Sequence, residues 1–456
     1  MGRDRMRYAV LFALLLIVFV PLVSAQEVGY YPDQGAFLRF LESNASYTVI
    51  AGDETWAKAW AYYIDEKLLT IKSHGNDTLV LVGNVQNNEL IASLWDRTGL
   101  PTEDSFLPSI IVLNNTVLIT GSEENIYLTE RAFEGLWNPS IGSIAVAILI
   151  SMVVILIFLL FLSVDESHAG SFYLLSVILF FMWYLTAERP KLTEEFLRYL
   201  LQALKFSVGD SPSSPLSAMM GAVFRVVPPI EENMILVHWI LVLLILSFSF
   251  YLAPKRSREL GFIAFGLAFV APMFRRSLEN VSGSALGLAA FLIVLAIISN
   301  VTFSPERWKA LVQTFLLSVF TLLAIGVNPY LVLIPIAFVI AFPKRYLRNY
   351  TYLLITAAGV LIMYLEFGIP VRISNGTTPE SLSMIKTFLM ESALAVVSVL
   401  YAIGSKKSIK MKGQTAFLLL MTLIYLPIAL FVPNLFPYCF VLLAALTVRL
   451  LHSLSS

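Results

Sequence analysis

The sequence predicts a polytopic α-helical membrane protein of about eleven spans that carries an N-terminal exported α/β domain. Three observations carry that reading. The composition is 58% hydrophobic and only 14% charged, with a mean hydropathy of +0.78, against about 25% charged residues in an average soluble domain. The run Ile141 to Val164 has neither charge nor proline, and about 20 helical residues cover a hydrocarbon core of about 30 Å. The pattern also changes character at this run. Before it the chain is polar and alternates strand-like and helix-like segments; after it one apolar run follows another.

The same composition excludes several function classes. Net charge is zero, which argues against nucleic acid as a partner. The single cysteine, Cys439, lies inside the last apolar run, so an internal disulfide and a cysteine-based metal cage are both out of reach. Cys439 reads as a small buried apolar residue. The chain has no nucleotide-binding glycine loop, no metal-spaced histidine pair, no Gly-x-Ser-x-Gly elbow and no Asp-x-Asp in its outer loops. No cofactor and no metal are therefore expected.

Residues 1–25 have the form of a signal peptide. Arg3, Arg5 and Arg7 precede an apolar core from Ala9 to Leu22, and Val23-Ser24-Ala25 supplies small residues for cleavage. An uncleaved anchor helix is the alternative. In both cases the arginines stay inside and the following segment is exported.

Residues 26–138 form the extracytoplasmic α/β domain, with 16 acidic residues against 6 basic ones. Tyr47 to Ala51 reads as a strand and Gly52-Asp53 as its turn. Glu54 to Thr70 has helical spacing, with Trp56, Trp60 and Ile64 on one side. Thr78 to Val82 is a second strand, ended by Gly83-Asn84, and Asn88 to Asp96 a short helix. Ser109 to Leu113 and Val117 to Thr120 flank Asn114-Asn115-Thr116 as a hairpin. A last helix starts after Gly121, with Ser122 as its expected cap. This order favours a small, partly parallel sheet covered by helices. Asn44, Asn76 and Asn114 begin glycosylation sequons.

The segment Val80 to Leu90 resembles a module of archaeal surface-layer and cell-wall-associated proteins, a strand followed by a V-G-G-P-x-x-N-P-like pattern and a helix. Val82, Gly83 and Asn87 match that pattern; Asn84, Val85 and Glu89 depart from it. The resemblance implies a surface-associated fold rather than an activity, and it leans towards an archaeal plasma membrane. The residues alone also permit a plainer reading, in which Gly83 ends a strand and Asn87 or Asn88 caps a helix.

Residues 139–456 form a multi-span bundle. The spans read as 141–164, 170–187, 234–253, 259–273, 282–299, 309–326, 329–343, 351–367, 383–404, 414–432 and 435–452. With the first domain outside, four of the five inner loops are basic, through Lys255, Arg256 and Arg258; Arg307 and Lys309; Lys344, Arg345 and Arg348; and Lys406, Lys407, Lys410 and Lys412. The C-terminus then falls in the cytoplasm. Trp137-Asn138-Pro139 is too short for a free linker, so the domain is expected close over the outer loops. The long outer loop 188–233 contains an amphipathic helix, Leu192 to Phe206, whose apolar face suits the membrane surface. It also contains Leu216 to Ile230, read either as a re-entrant segment lining a cavity or as a loop packed on the bundle.

Charges in or beside spans are costly and mark candidate sites. Glu391 lies inside 383–404, and Glu366 and His238 near the outer ends of their spans. With Glu188, Arg189, Arg225, Arg275, Arg276 and Arg372 they can be drawn as one outward polar cluster, whose cations would suit the phosphates of a lipid-linked sugar. Scattered interfacial anchors are the alternative. Three function classes stay open. One is a cell-envelope protein whose exported domain contacts a surface-layer protein, a glycan or another partner. A second is a membrane-embedded transferase or polymerase acting on lipid-linked glycans, with Glu188, Arg225, His238, Arg275 and Arg276 as catalytic candidates. The third is a secondary transporter or flippase using Glu391 and Glu366. The lipid bilayer is the one partner common to all three.

Overall fold

A computed structural model describes residues 34–133, 141–162, 169–186, 192–225, 228–252, 278, 281, 283–300, 307–342, 346–367, 413–429, 432 and 435–455. The signal segment 1–25, the expected spans 259–273 and 383–404, and the junction 137–139 lie outside them. The chain divides into two compact units. One comprises residues 24–143 together with 191–237; the other comprises 144–190 and 238–456, with the first 23 residues.

The first unit opens with α1 (Gln34–Glu42), followed by β1 (Tyr47–Ala51), α2 (Thr55–Leu69), β2 (Thr78–Gly83), α3 (Glu89–Trp95), β3 (Ser109–Leu113) and β4 (Thr116–Thr120). Sheet order is β1-β2-β4-β3, with β1, β2 and β4 parallel and β3 antiparallel at the edge. The expected partly parallel sheet is present, and the expected strand positions hold to within a residue. Central β2 reads as an unbroken apolar run because both of its faces are covered. Leu81 joins Ile91 and Trp95 of α3, Ile111 and Leu118 in one buried cluster. Val80 and Val82 point to the opposite face, which α2 covers. Trp56, Trp60 and Ile64 of α2 are all buried, as their spacing requires. The hairpin turns at Asn114, whose φ of 50° is one that asparagine tolerates.

One local expectation changes and one helix is added. The segment after Gly121 is not an α-helix from Ser122 but a 3₁₀ helix over Ile126–Phe133. Asn125 takes up the turn that the helix would have begun, through Ser122 N–H donating to Asn125 Oδ1 at 2.8 Å. Helix α1, for which the sequence reading had no expectation, buries Phe37, Phe40 and Leu41 at the i, i+3, i+4 spacing of one helix face.

The helical elements continue with α4 (Ile141–Leu162), α5 (Ala169–Thr186), α6 (Glu194–Ser207), α7 (Pro215–Phe224), α8 (Glu231–Phe250), α9 (Gly283–Asn300), α10 (Arg307–Val327), a 3₁₀ turn (Pro329–Leu333), α11 (Ile334–Ala341), α12 (Tyr346–Phe367), α13 (Gly413–Ala429) and α14 (Phe436–Ser455). Three of them contain stretches long and apolar enough to cross a membrane: Glu232–Phe250, Ala310–Val327 and Tyr350–Phe367. In the helical unit α9 packs on α10, α10 on α12, and α13 on α14. Gly359 lets α12 close onto Leu322 of α10. Hydroxyls of Thr314, Ser318 and Thr321 bond to carbonyls four residues back. This is how apolar helices absorb small polar side chains without forming a site.

Candidate functional site

The α/β unit is completed by residues that lie far along the chain. Helix α6 is strongly amphipathic, and Phe196, Leu197, Leu200, Leu201 and Leu204 are buried. Protein covers that face: α6 packs against α2, the 126–133 segment and α7. Thr193 caps α6 by accepting from Phe196 N–H at 3.2 Å. Polar groups seal the rim. Lys205 Nζ donates to Glu123 Oε1 at 2.6 Å and lies 3.3 Å from Asp210 Oδ2. Arg198 Nη2 donates to Tyr127 Oη at 3.1 Å. Burial pulls the Lys205 ammonium down, but hydrogen bonds and attraction from Glu123 and Asp210 outweigh it and hold it above its ordinary value. The backbone N–H of Ser211, ahead of Lys205, holds the Asp210 carboxyl below its own.

Beneath this contact lies a buried ion pair. Lys67 of α2 donates to Glu130, with side chains 7% and 2% exposed. The Lys67 ammonium sits 4.9 Å from the centre of the Phe133 ring. Nearby, Trp60 Nε1 donates to Thr129 Oγ1 at 2.9 Å. These contacts pin the 3₁₀ segment to α2. A charged pair with this burial holds geometry more than it adds stability.

At the C-terminal ends of β1, β2 and β4, the edge where open α/β sheets bind ligands, the chain supplies its own amides. Gly83 has a φ of 140°, and a Cβ there would meet Asn87 Oδ1. Asn87 Oδ1 accepts from Asn84 N–H at 2.8 Å, and Asn84 Nδ2 donates to Gly121 O at 3.1 Å. The same turn recurs after β4, where Asn125 closes on Ser122 and donates to Phe106 O at 2.9 Å. Asn88 caps α3, accepting from Leu90 and Ile91 N–H. The repeated signal, Gly-x-x-x-Asn at 83–87 and 121–125, is visible in the sequence once the two strand ends are aligned. The expectation above used only its first copy.

Three of the sequence-predicted site residues, Arg225, His238 and Glu366, are among the described residues. Arg225 ends α7 and is exposed; its guanidinium lies 4.6 Å from the centre of the Phe206 ring and donates to Phe206 O at 3.1 Å. Leu216 to Phe224, within the expected re-entrant segment, is a helix seated on α6. His238 in α8 is 1% exposed, and its Nε2 lies 2.7 Å from Leu278 O. That nitrogen therefore carries the proton and donates, tying α8 to a segment 40 residues on. Glu366 is exposed in the last turn of α12. Glu188, Arg189, Arg275, Arg276, Arg372 and Glu391 lie outside the described residues. Among the described residues no group of three His, Cys, Asp or Glu could hold a metal ion.

Two further polar sites escaped the sequence reading. His74 Nε2 and Asp65 Oδ1 are 2.8 Å apart on the surface of the α/β unit. Burial, with Asp65 adding, lifts the neighbouring Tyr47 hydroxyl above its ordinary value. Arg449 in α14 is 6% exposed and donates to Gln414 Oε1 at 2.9 Å. A buried cation in an apolar helix is a functional candidate. Comparison with known proteins adds no relative: no family model, no curated protein and no solved structure matches the chain.

Proposed function

We propose that this chain is a multi-pass plasma-membrane protein of the cell envelope, and that its α/β unit is an extracytoplasmic platform for contact with a surface component or partner. One observation carries the proposal. Residues 191–237, which lie between apolar helices in the sequence, build into the same compact unit as residues 24–143. The α/β domain is therefore not a bead on one tether. It incorporates a segment bounded on both sides by the helical part, which suits a rigid platform at the membrane boundary.

The finer topology belongs to the same proposal: about eleven spans, a signal peptide at 1–25, and an outside-to-inside entry at Ile141, by loop charge. The acidic surface of the domain and its exposed sequon residues Asn44, Asn76 and Asn114 fit an outside location. A surface-layer protein or a glycan is the proposed partner class, in keeping with the strand–glycine–asparagine turn and its resemblance to surface-associated modules.

The test is accessibility in intact cells. A cysteine at Ser93, exposed on the α/β unit, should react with a membrane-impermeant maleimide without lysis, since the native Cys439 is buried. Photo-crosslinkers at exposed Leu107 should then capture an envelope protein or glycan. Labelling only after lysis would refute the orientation. Loss of surface glycan in Arg275→Ala or Glu188→Ala would replace the proposal with an enzyme, and loss of ion-coupled uptake in Glu391→Gln with a transporter.

A further inference from the structure

We infer that Asn44, Asn76 and Asn114 carry N-linked glycans, and that together they make one glycan-bearing edge of the α/β unit. The inference rests on the extracytoplasmic reading above and adds a modification site to it.

Each of the three sequons leads into the start of a parallel strand. Asn44 precedes β1, Asn76 precedes β2 and Asn114 precedes β4, each by two or three residues. The sheet brings these starts side by side. Strands β1, β2 and β4 are neighbours in that order, with Tyr47 opposite Thr78 and Leu79 opposite Thr116. Two strand spacings, about 10 Å, therefore span the row of strand starts. Hydrogen bonds join the sequons directly. Ser46 Oγ and Ser46 N–H both donate to Asp77 Oδ2, at 2.7 and 2.9 Å. Leu79 N–H, one residue beyond the second sequon, donates to Asn115 O of the third at 2.9 Å.

The two ends of the sheet use asparagine in opposite ways. At the C-terminal ends of the parallel strands, Asn84, Asn87 and Asn88 are buried and their side chains close turns and cap α3. None of them begins a sequon. At the N-terminal ends, Asn44, Asn76 and Asn114 are exposed, and each has a serine or threonine two residues on. An exposed amide with that spacing to a hydroxyl is the acceptor of N-glycosyl transfer. Burial thus separates asparagines that hold the fold from asparagines that stand free for modification.

The co-reactant is a lipid-phosphate-linked oligosaccharide, delivered by a transferase of the exporting membrane. Asparagine Nδ2 bonds to the anomeric carbon of the first sugar as the bond from that carbon to the phosphate oxygen breaks. The phosphate leaves with the bonding pair, and the proton lost from the amide goes to the released phosphate or to water. In the folded unit the Ser46 hydroxyl is held by Asp77 and Thr78 is buried, so transfer to Asn44 and Asn76 precedes closure of the sheet. Glycans at this edge leave the opposite one for partner contact. Leu107 is 55% exposed there, beside Thr120 at the end of β4.

Peptide mass spectrometry of the full-length protein from its native membrane tests the inference. A sugar mass is expected on the peptides holding Asn44, Asn76 and Asn114. None is expected at Asn300 and Asn349, which also begin sequons but fall in basic loops read as inner. Asn44→Gln, Asn76→Gln and Thr116→Val should each remove one glycan from the intact mass. Thr116→Val is chosen because it deletes the third sequon and keeps Asn114, whose φ of 50° glutamine tolerates less well. Maleimide labelling of Ser93→Cys in intact cells separates the two readings. Labelling without lysis, together with fewer than three modified peptides, overturns the glycan edge alone. Labelling only after lysis, with all three peptides bare, overturns both readings. A glycan at Asn300 or Asn349 overturns the loop-charge topology on which the inference rests.

Discussion

The substitution Leu200→Ala tests whether α6 belongs to the core of the α/β unit. Leu200 is fully buried in the face that α6 turns towards α2 and α7. Removing a buried leucine side chain to alanine costs about 2–5 kcal/mol, because lost transfer energy is compounded by the cavity left behind. Amide hydrogen exchange of the full-length protein in nanodiscs provides the assay, read at β2. That strand is central in the sheet, so its amides report opening of the whole unit. A loss of about 3 kcal/mol should speed β2 exchange by roughly 150-fold. Leu69→Ala, at a position 42% exposed, should change it little, since surface substitutions stay within about 0.5 kcal/mol. If Leu200→Ala speeds exchange only within residues 194–207 and leaves β2 unchanged, α6 is a separable surface helix and the composite unit is wrong.

Further outcomes follow from the same contacts. Lys67→Met alone should destabilise the α/β unit by about 3–5 kcal/mol by stranding a buried Glu130 carboxylate. Adding Glu130→Leu should recover most of that loss in thermal unfolding, and simple additivity would refute the pairing. Gly83→Ala should cost at least about 1–3 kcal/mol, because alanine meets both the positive φ and Asn87 Oδ1; an unchanged melting temperature would show that the turn rearranges freely. The Lys205 cluster makes α6 docking pH-dependent at both extremes. The Lys205 value is raised from 10.5, so its contribution is complete below that pH and is lost as pH rises through the raised value. The Asp210 value is lowered from 3.8, so its contribution is present above that pH and is lost as pH falls through the lowered value. Protease sensitivity of the α6–α7 connection should therefore rise in strong acid and strong base, and Lys205→Ala should flatten the basic limb while leaving most of the acid limb, which rests first on Ser211 N–H.

What could be read along the chain was whatever depends on period and composition. Alternating and continuous apolar runs located β1 to β4 and α2 because a covered sheet leaves few other patterns. The uncharged run from Ile141 announced apolar helices by length alone. An asparagine cap at 87 or 88 and the Asn114 turn were legible because their chemistry is local, and the fold makes Asn88 the cap. The Lys67–Glu130 pair was not, since 63 residues separate its partners and each looks like an ordinary surface charge in isolation. Nor was the partner of the α6 apolar face: amphipathicity states that a face must be covered and is silent on whether protein or lipid covers it. Period and composition along the chain suffice for an α/β domain combined with apolar helices. That residues 191–237 belong to the α/β unit emerges in the fold alone, because contacts between α2 and α6 join segments more than a hundred residues apart and no local pattern encodes such a pairing.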